Sequence, residues 1–511
     1  MTRENSAPAP ADELPASLAR AVARRLGECR IEGLRRLSGG ASQETWSFEA
    51  ELLDADRRNP HHRDAELPGA EPAPNRTMPL ILRRSPAGRR SAAAVTPEVE
   101  ARVQQAAADG GVPAARVRFV LEPEDGLGHG YVMDRLAGES IAPRILRDPA
   151  LAQARASMAR RCGEILATLH AISADGLDLP VADGPRQIEQ YRELYESFDE
   201  PRPLFDLAFR RLRDTLSAPG RIALVHGDFR NGNLLVGPDG IRAVLDWELT
   251  HRGDPMEDLG WLCGSSWRFG EVERPVGGFG ALEDLFAGYE AVSGERVDRE
   301  RVSAWQVFGT LKWGVMCMIQ GFSHLRGEIH SVEKAAIGRR VSETEADLAR
   351  LLAPEIEPEE PPFGEPESHA LRDERPTARD LLGAVRGFLA EELRPTLEGK
   401  RSFDVLVAAN ALGIVERELA HGAEHDALER AGMLELLGGP AHGPVERSPE
   451  RSPVERSTAD LARSLAREIR SGGIDPADPR LLRFLRRSAD RKLAIDNPRY
   501  RPVPVKHPGR D

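Results

Sequence analysis

Val225-His-Gly-Asp-Phe-Arg-Asn-Gly-Asn-Leu-Leu-Val236, followed shortly by Ala243-Val-Leu-Asp-Trp-Glu248, is the stretch on which the reading of this chain turns. Each block is a polar turn beside a short apolar strand. Leu234-Leu235-Val236 and Val244-Leu245 are expected to pair as a hairpin, which brings Asp228, Asn233 and Asp246 from turns to one mouth. Phosphoryl transfer needs such a trio. One carboxylate orients the acceptor hydroxyl and accepts its proton, while an amide and a second carboxylate hold Mg2+ on the nucleotide phosphates. Alone, Asp228 reads as an ordinary turn aspartate; the spacing of all three carries the chemistry.

His226-Gly-Asp-x-x-x-x-Asn233, a strand, and then Leu245-Asp-Trp-Glu248 resemble the aminoglycoside phosphotransferase/choline-kinase family, whose fold is protein-kinase-like. A third block, Gly253-Asp-Pro-Met-Glu-Asp-Leu-Gly260, is similar to the family's Gly-Asp-Pro-x-x-Asp-Leu segment. The resemblance spans residues 15–350. Asp246-Trp-Glu-Leu-Thr-His-Arg-Gly-Asp-Pro255 further resembles the subgroup joined to acyl-CoA dehydrogenases. The resemblance implies an α+β bilobal fold, with a small antiparallel-sheet N-lobe and a larger helical C-lobe. It also implies Asp228 as catalytic base, Asn233 and Asp246 as metal ligands, and His226 as a scaffold of the loop. Asp254 and Asp258 would brace that loop. Arg230, two residues past Asp228, stands where many kinases place a cation to neutralise the transferring phosphoryl group, and a plain surface arginine is the other reading.

Four further features belong to nucleotide binding. In Leu37-Ser-Gly-Gly-Ala-Ser-Gln43, glycines Gly39 and Gly40 let the backbone approach phosphates, and Ser38 and Ser42 add hydroxyl donors; the Gly-x-Gly-x-x-Gly pattern of protein kinases is absent. Leu80-Ile-Leu-Arg83 offers arginine where the broad family usually has lysine, and arginine keeps the charge and can grip phosphate bidentately. Glu100 on the following helix is its expected partner, because Glu98 lies two residues away and faces elsewhere. Tyr131-Val-Met133-Asp134 resembles the hinge between lobes, with Met133 and Asp134 beside the adenine.

Working outward, the chain has 511 residues, 70 Lys plus Arg against 82 Asp plus Glu, and a formal charge of −12. That balance excludes a strongly basic nucleic-acid footprint. Cys29, Cys162, Cys263 and Cys317 lie far apart with no Cys-x-x-Cys, so neither a disulfide framework nor a zinc knuckle is expected. The N-terminus has no apolar core of a secretory signal, and Trp305 to Phe322 reads as a buried helix interrupted by Lys312 and Gln320, not a membrane span. A cytoplasmic protein is expected.

The organisation expected is an N-lobe over 15–133 with a flexible insertion at 54–77, and a C-lobe over 134–352. An acidic, Pro-rich linker follows at 353–376, then a separate all-α domain at 377–500 with a disordered repeat at 440–457. Within that domain His421 and His425 stand four apart, and Gly422 between them suggests a helix end. Its apolar seams suggest self-association or partner docking. The function implied is a kinase using ATP or GTP, with Mg2+, on a small-molecule hydroxyl. A hydroxyacyl thioester or lipid-derived alcohol is the first acceptor class, and an aminoglycoside-type antibiotic the second. A catalytically silent nucleotide-binding scaffold is the reading from another class, resting on Arg83 and the shortened glycine loop.

Overall fold

The computed structural model describes residues 14–37, 43–53, 76–85, 94–217, 220–357, 363, 376–438 and 456–503. Ser38, Gly39, Gly40 and Ser42, nearly all of the expected insertion, most of the linker and nearly all of the repeat lie outside the described residues. The chain forms two compact units. The first gathers residues 1–182, 220–262 and 279–297, and the second 183–219, 263–278 and 298–511.

The first unit opens with helix α1 (Leu14–Leu26) and a five-stranded antiparallel sheet: β1 (Cys29–Arg36), β2 (Glu44–Leu52), β3 (Arg76–Ser85), β4 (Val117–Val120) and β5 (His129–Asp134). The spatial order is β1-β2-β3-β5-β4. Side chains alternate between faces of a strand, and that period divides β3 into two roles. Leu80 and Leu82 join Leu14, Leu18 and Val22 of α1, with Phe48 and Val132, in a closed apolar core. Ile81 and Arg83, paired in register with Met133 and Tyr131 of β5, belong to the opposite face. Helix α2 (Pro97–Asp109) serves that second face; Thr96 caps it by accepting the Val99 N–H, and Pro97 fills its first turn. The helix buries Val99, Glu100, Val103, Gln104 and Ala107.

Four short strands then hold the two diagnostic loops. β6 (Ala223–Val225) pairs with β9 (His251–Gly253), and β7 (Leu234–Gly237) with β8 (Gly240–Val244), all antiparallel. Residues 226–233 run from β6 into β7, and residues 245–250 from β8 into β9, so the ladders bring the two loops together. The Leu245 N–H donates to Asn233 O at 2.8 Å and ties one loop to the other. Behind them the helices Ala152–His170 and Leu282–Ser293 cross in close backbone contact. A Cβ on Gly163 would stand 2.0 Å from Leu285 O, and one on Gly288 2.0 Å from Arg160 O.

The second unit is helical. Its helix Val341–Leu352 presents three almost wholly buried acids, Glu343, Glu345 and Asp347, and C-terminal groups answer each. Asn497 Nδ2 donates to Glu343, Lys492 Nζ to Glu345 at 2.8 Å, and Tyr500 Oη to Asp347 at 2.6 Å. The Val503 N–H adds a second bond to Asp347 at 3.0 Å. The helix Gly399–Gly438 runs unbroken through Gly422, which corrects the expected helix end there. One glycine costs a helix interior about 1 kcal/mol, and packing along so long an element outweighs that. His421 stacks on Phe363 at 4.7 Å between ring centres, 13° from parallel. Among the described residues, no group of three or more metal-ligating side chains forms, and no helix is long and apolar enough to cross a membrane.

Candidate active site

The loop 226–233 is built around buried donors and acceptors. The Asp258 carboxylate accepts the His226 N–H at 2.8 Å and the Gly227 N–H at 3.0 Å. His170 Nε2 stands 3.2 Å from the same carboxylate, with His170 Nδ1 3.1 Å from Tyr289 Oη. Burial would raise the Asp258 carboxyl, but His170 and His226 override it and hold it below the usual range. His226 Nδ1 accepts the Asp228 N–H, and Nε2 faces Leu245 O at 3.2 Å. Those partners assign the neutral tautomer with its proton on Nε2, and burial pulls the imidazole below its ordinary value. His226 therefore braces backbone.

Asp228 emerges from this frame with three side-chain donors on it. Oδ1 accepts from Arg230 Nε at 2.9 Å and from Trp261 Nε1 at 2.8 Å, and Oδ2 accepts from Asn233 Nδ2 at 2.6 Å. Because Asn233 turns its Nδ2 to Asp228, its Oδ1 is left to the other side of the amide. Asp246 sits in the left-handed region at φ 66°, a conformation that costs a non-glycine residue energy and is met at functional sites.

Across from these loops, Arg83 is the hub. Its Nε donates to Gln43 Oε1 at 3.0 Å and lies 3.0 Å from Glu100 Oε1. One terminal nitrogen pairs with Asp246 Oδ1 and stands 3.5 Å from Glu248 Oε2. Gln43 Nε2 closes the group by donating to Glu100 Oε2 at 2.9 Å. Burial works against the Arg83 charge, but Glu100, Tyr131, Asp246 and Glu248 outweigh it and move its pKa upward. Burial likewise pushes Glu100 up to about 6, against the lowering pull of Arg83 and Gln43.

Asp228, Arg230, Asn233, Asp246, Arg83 and Glu100 are thus tied into two linked hydrogen-bonded groups. Glu98 stands apart, 2.8 Å from His129 Nδ1. Met133 lies near α2, its sulfur 3.2 Å from Gln104 Nε2. The Asp134 carboxylate is not drawn into the cluster: Arg118 holds it at 2.6 and 2.8 Å, and its N–H donates to Arg116 O. Asp254 caps the helix Met256–Leu262 through the Met256 N–H. Sequence reading overlooked Gln43, Glu248 and Trp261 as parts of the site. For Trp261 a signal existed: it follows Asp258 by three residues, so the two share a helix face.

Comparison with known proteins places the chain in a family. A model of the phosphotransferase enzyme family (APH) matches residues 33–294, just over half of the chain, and residues 395–500 match a domain of unknown function (DUF6285). Mouse acyl-CoA dehydrogenase family member 10 is 31% identical over 197 residues, which is 36% of this chain and 18% of that protein. Mouse family member 11 is 31% identical over 196 residues, again 36% of this chain and 24% of that one. The chain thus spans less than a quarter of the length of either relative. A candidate aminoglycoside phosphotransferase from Ralstonia eutropha aligns with a TM-score of 0.46 and 20% identity, over 64% of this chain and 95% of that one. On the extent of the family match, the chain belongs to the phosphotransferase enzyme family.

Proposed function

We propose that this phosphotransferase moves the γ-phosphoryl group of ATP, or of GTP, onto the hydroxyl of a hydroxyacyl thioester or related lipid-derived alcohol. The observation that carries the reading is the junction of the two loops. Asn233 donates to Asp228 at 2.6 Å while its backbone oxygen accepts from Leu245, the residue before Asp246. Base and metal-ligand positions are thereby held in one network.

The acceptor hydroxyl hydrogen-bonds to Asp228. Its oxygen forms the new bond to the γ-phosphorus, the bond from that phosphorus to the β–γ bridging oxygen breaks, and Asp228 takes the hydroxyl proton. The nucleoside diphosphate leaves. Asn233 Oδ1 and the Asp246 carboxylate are hard oxygen donors and fit Mg2+, which prefers few protein ligands and keeps water and phosphate oxygens. When bound, Mg2+ would offset charge on the triphosphate. Arg230, one-quarter exposed, can leave Asp228 and meet the transferring group. Arg83 supplies a second, buried cation on the donor side.

The acceptor class rests on the relatives, which carry acyl-CoA dehydrogenase names. Incubation with MgATP and a panel of hydroxyacyl-CoAs, beside a panel of aminoglycosides, tests it. Phosphorylated acyl-CoA is the expected product, reduced to a small residual rate in Asp228→Ala, which should still bind MgATP. Turnover on aminoglycosides alone would overturn the acceptor class. Unchanged phosphorylation by Asp228→Ala would overturn the mechanism.

A further inference from the structure

The helix Met256–Leu262 grips the catalytic loop at two points. Asp258 takes the backbone N–H groups of His226 and Gly227. Three residues on, from the same face, Trp261 Nε1 donates to Asp228 Oδ1 at 2.8 Å. Trp261 is 4% exposed. One short rigid element therefore fixes both the backbone of the loop and the side chain at its tip.

We propose that Trp261 is the positioning residue of Asp228: its indole N–H sets the carboxylate's rotation, and with it the line along which the acceptor hydroxyl is received. The proposal rests on Asp228 acting as base. Three donors meet that carboxylate, and they differ in kind. Arg230 is a partly exposed cation on a long flexible chain, suited to leave for a phosphate. Asn233 also donates to the Asp228 backbone oxygen, at 3.0 Å, and is shared with the metal position. Trp261 is buried, has two side-chain torsions and is neutral. A buried indole fixes the direction of its N–H through only two torsions, so it can hold the carboxylate's orientation after Arg230 has left for a phosphate. The nearby indole of Trp247 shows the contrast. Its Nε1 donates to Val244 O at 3.1 Å, a backbone acceptor within its own turn. Buried indoles need some partner; of these two, Trp261 takes the base.

Trp261→Phe keeps the ring in place and deletes the donor. The readouts are phosphoryl transfer from MgATP to the acceptor chosen by the panel above, MgATP hydrolysis with water as acceptor, and MgATP affinity by calorimetry. Losing a hydrogen bond to a charged group should lower kcat about tenfold or more, with the Kd and KM for MgATP nearly unchanged. In an Asp228→Ala background the same change should cost nothing further, because the group it positions is gone. Trp261→His, which can again offer an N–H, should recover part of the loss and serves if the phenylalanine variant folds poorly. Wild-type kcat in Trp261→Phe, equal losses with and without Asp228, or a histidine variant no better than phenylalanine would each overturn the proposal. Wild-type turnover in Asp228→Ala alone would instead bring down the base assignment beneath it.

Discussion

Arg83 of β3 pairs with Asp246, 163 residues later in the chain, through a guanidinium that also lies 3.0 Å from Glu100 and 3.5 Å from Glu248. A planar fork can serve several carboxylates at once, whereas a lysine ammonium is a point charge on a flexible stem. Arg83→Lys should therefore keep the cation yet lose the arrangement, weakening MgATP binding by about tenfold. Arg83→Ala should cost more. It strands Glu100, which is fully buried, and breaking a buried pair on one side costs roughly 3–5 kcal/mol. Urea unfolding and MgATP titration measure the two effects separately. If Arg83→Lys matched the wild type in both, the fork geometry would be irrelevant.

Gly227 offers a test of the loop frame that leaves every reactive group in place. Its φ is +80°, and an added Cβ would stand 2.4 Å from Leu249 O and 3.2 Å from His251 Nδ1. Both the left-handed backbone and the backbone collision penalise alanine. Gly227→Ala should lower stability by about 2 kcal/mol or more and turnover with it. Circular-dichroism melting and activity of the folded fraction check this, and an unperturbed melt would show the loop to be adaptable.

The parts of this architecture that were legible in the sequence are those set by local periods. The alternation Leu80, Leu82 against Ile81, Arg83 assigns the two faces of β3, and α2 places Glu100 rather than Glu98 toward that sheet; no long-range information is needed. Strand β1 was not legible. None of its residues is buried, its sequence Cys29-Arg-Ile-Glu-Gly-Leu-Arg-Arg36 lacks a clear apolar alternation, and its place comes from pairing at the sheet edge with β2. Trp261 escaped because a tryptophan reads as core until its indole partner is seen, and that partner lies 33 residues upstream. Gln43 and Glu248 escaped for a similar reason: each acquires meaning through Arg83, which lies on another element.

The C-terminal segment should be part of the folded support of the second unit. Asp347 is fully buried, and burial pushes its carboxyl up to about 6 even with Tyr500, the Val503 N–H and nearby arginines pulling it down. Deleting residues 497–511 removes Tyr500, Val503 and the Asn497 bond to Glu343. Leaving buried acceptors unmet costs about 1–3 kcal/mol each, so the truncated chain should melt several degrees lower. Asp347→Asn in the truncated chain should recover part of that loss by removing the charge. A truncated chain as stable as the full one would mean that water replaces these donors without cost.

Asp206 supplies a pH-dependent signature for the same unit. It is 2% exposed, 3.1 Å from Tyr195 Oη and 3.4 Å from Arg470 Nε. Burial pushes its carboxyl up to about 7, with Arg470 and Tyr195 only partly opposing it. The folded chain therefore holds a proton between about pH 4 and pH 7 that the unfolded chain has released. The sign follows directly: this group's contribution is most favourable at the acid end and becomes less so as pH rises to 7, by up to about 4 kcal/mol. Asp206→Asn, which is neutral throughout, should lack that slope. It should be more stable than the wild type at pH 8 and close to it at pH 4.5, where both side chains are uncharged in the folded state. Urea unfolding of the pair at the two pH values isolates the residue, since every other titration is common to both proteins. A difference that stays constant with pH would show that Arg470 keeps Asp206 ionised throughout, and that the ion pair outweighs burial at this position.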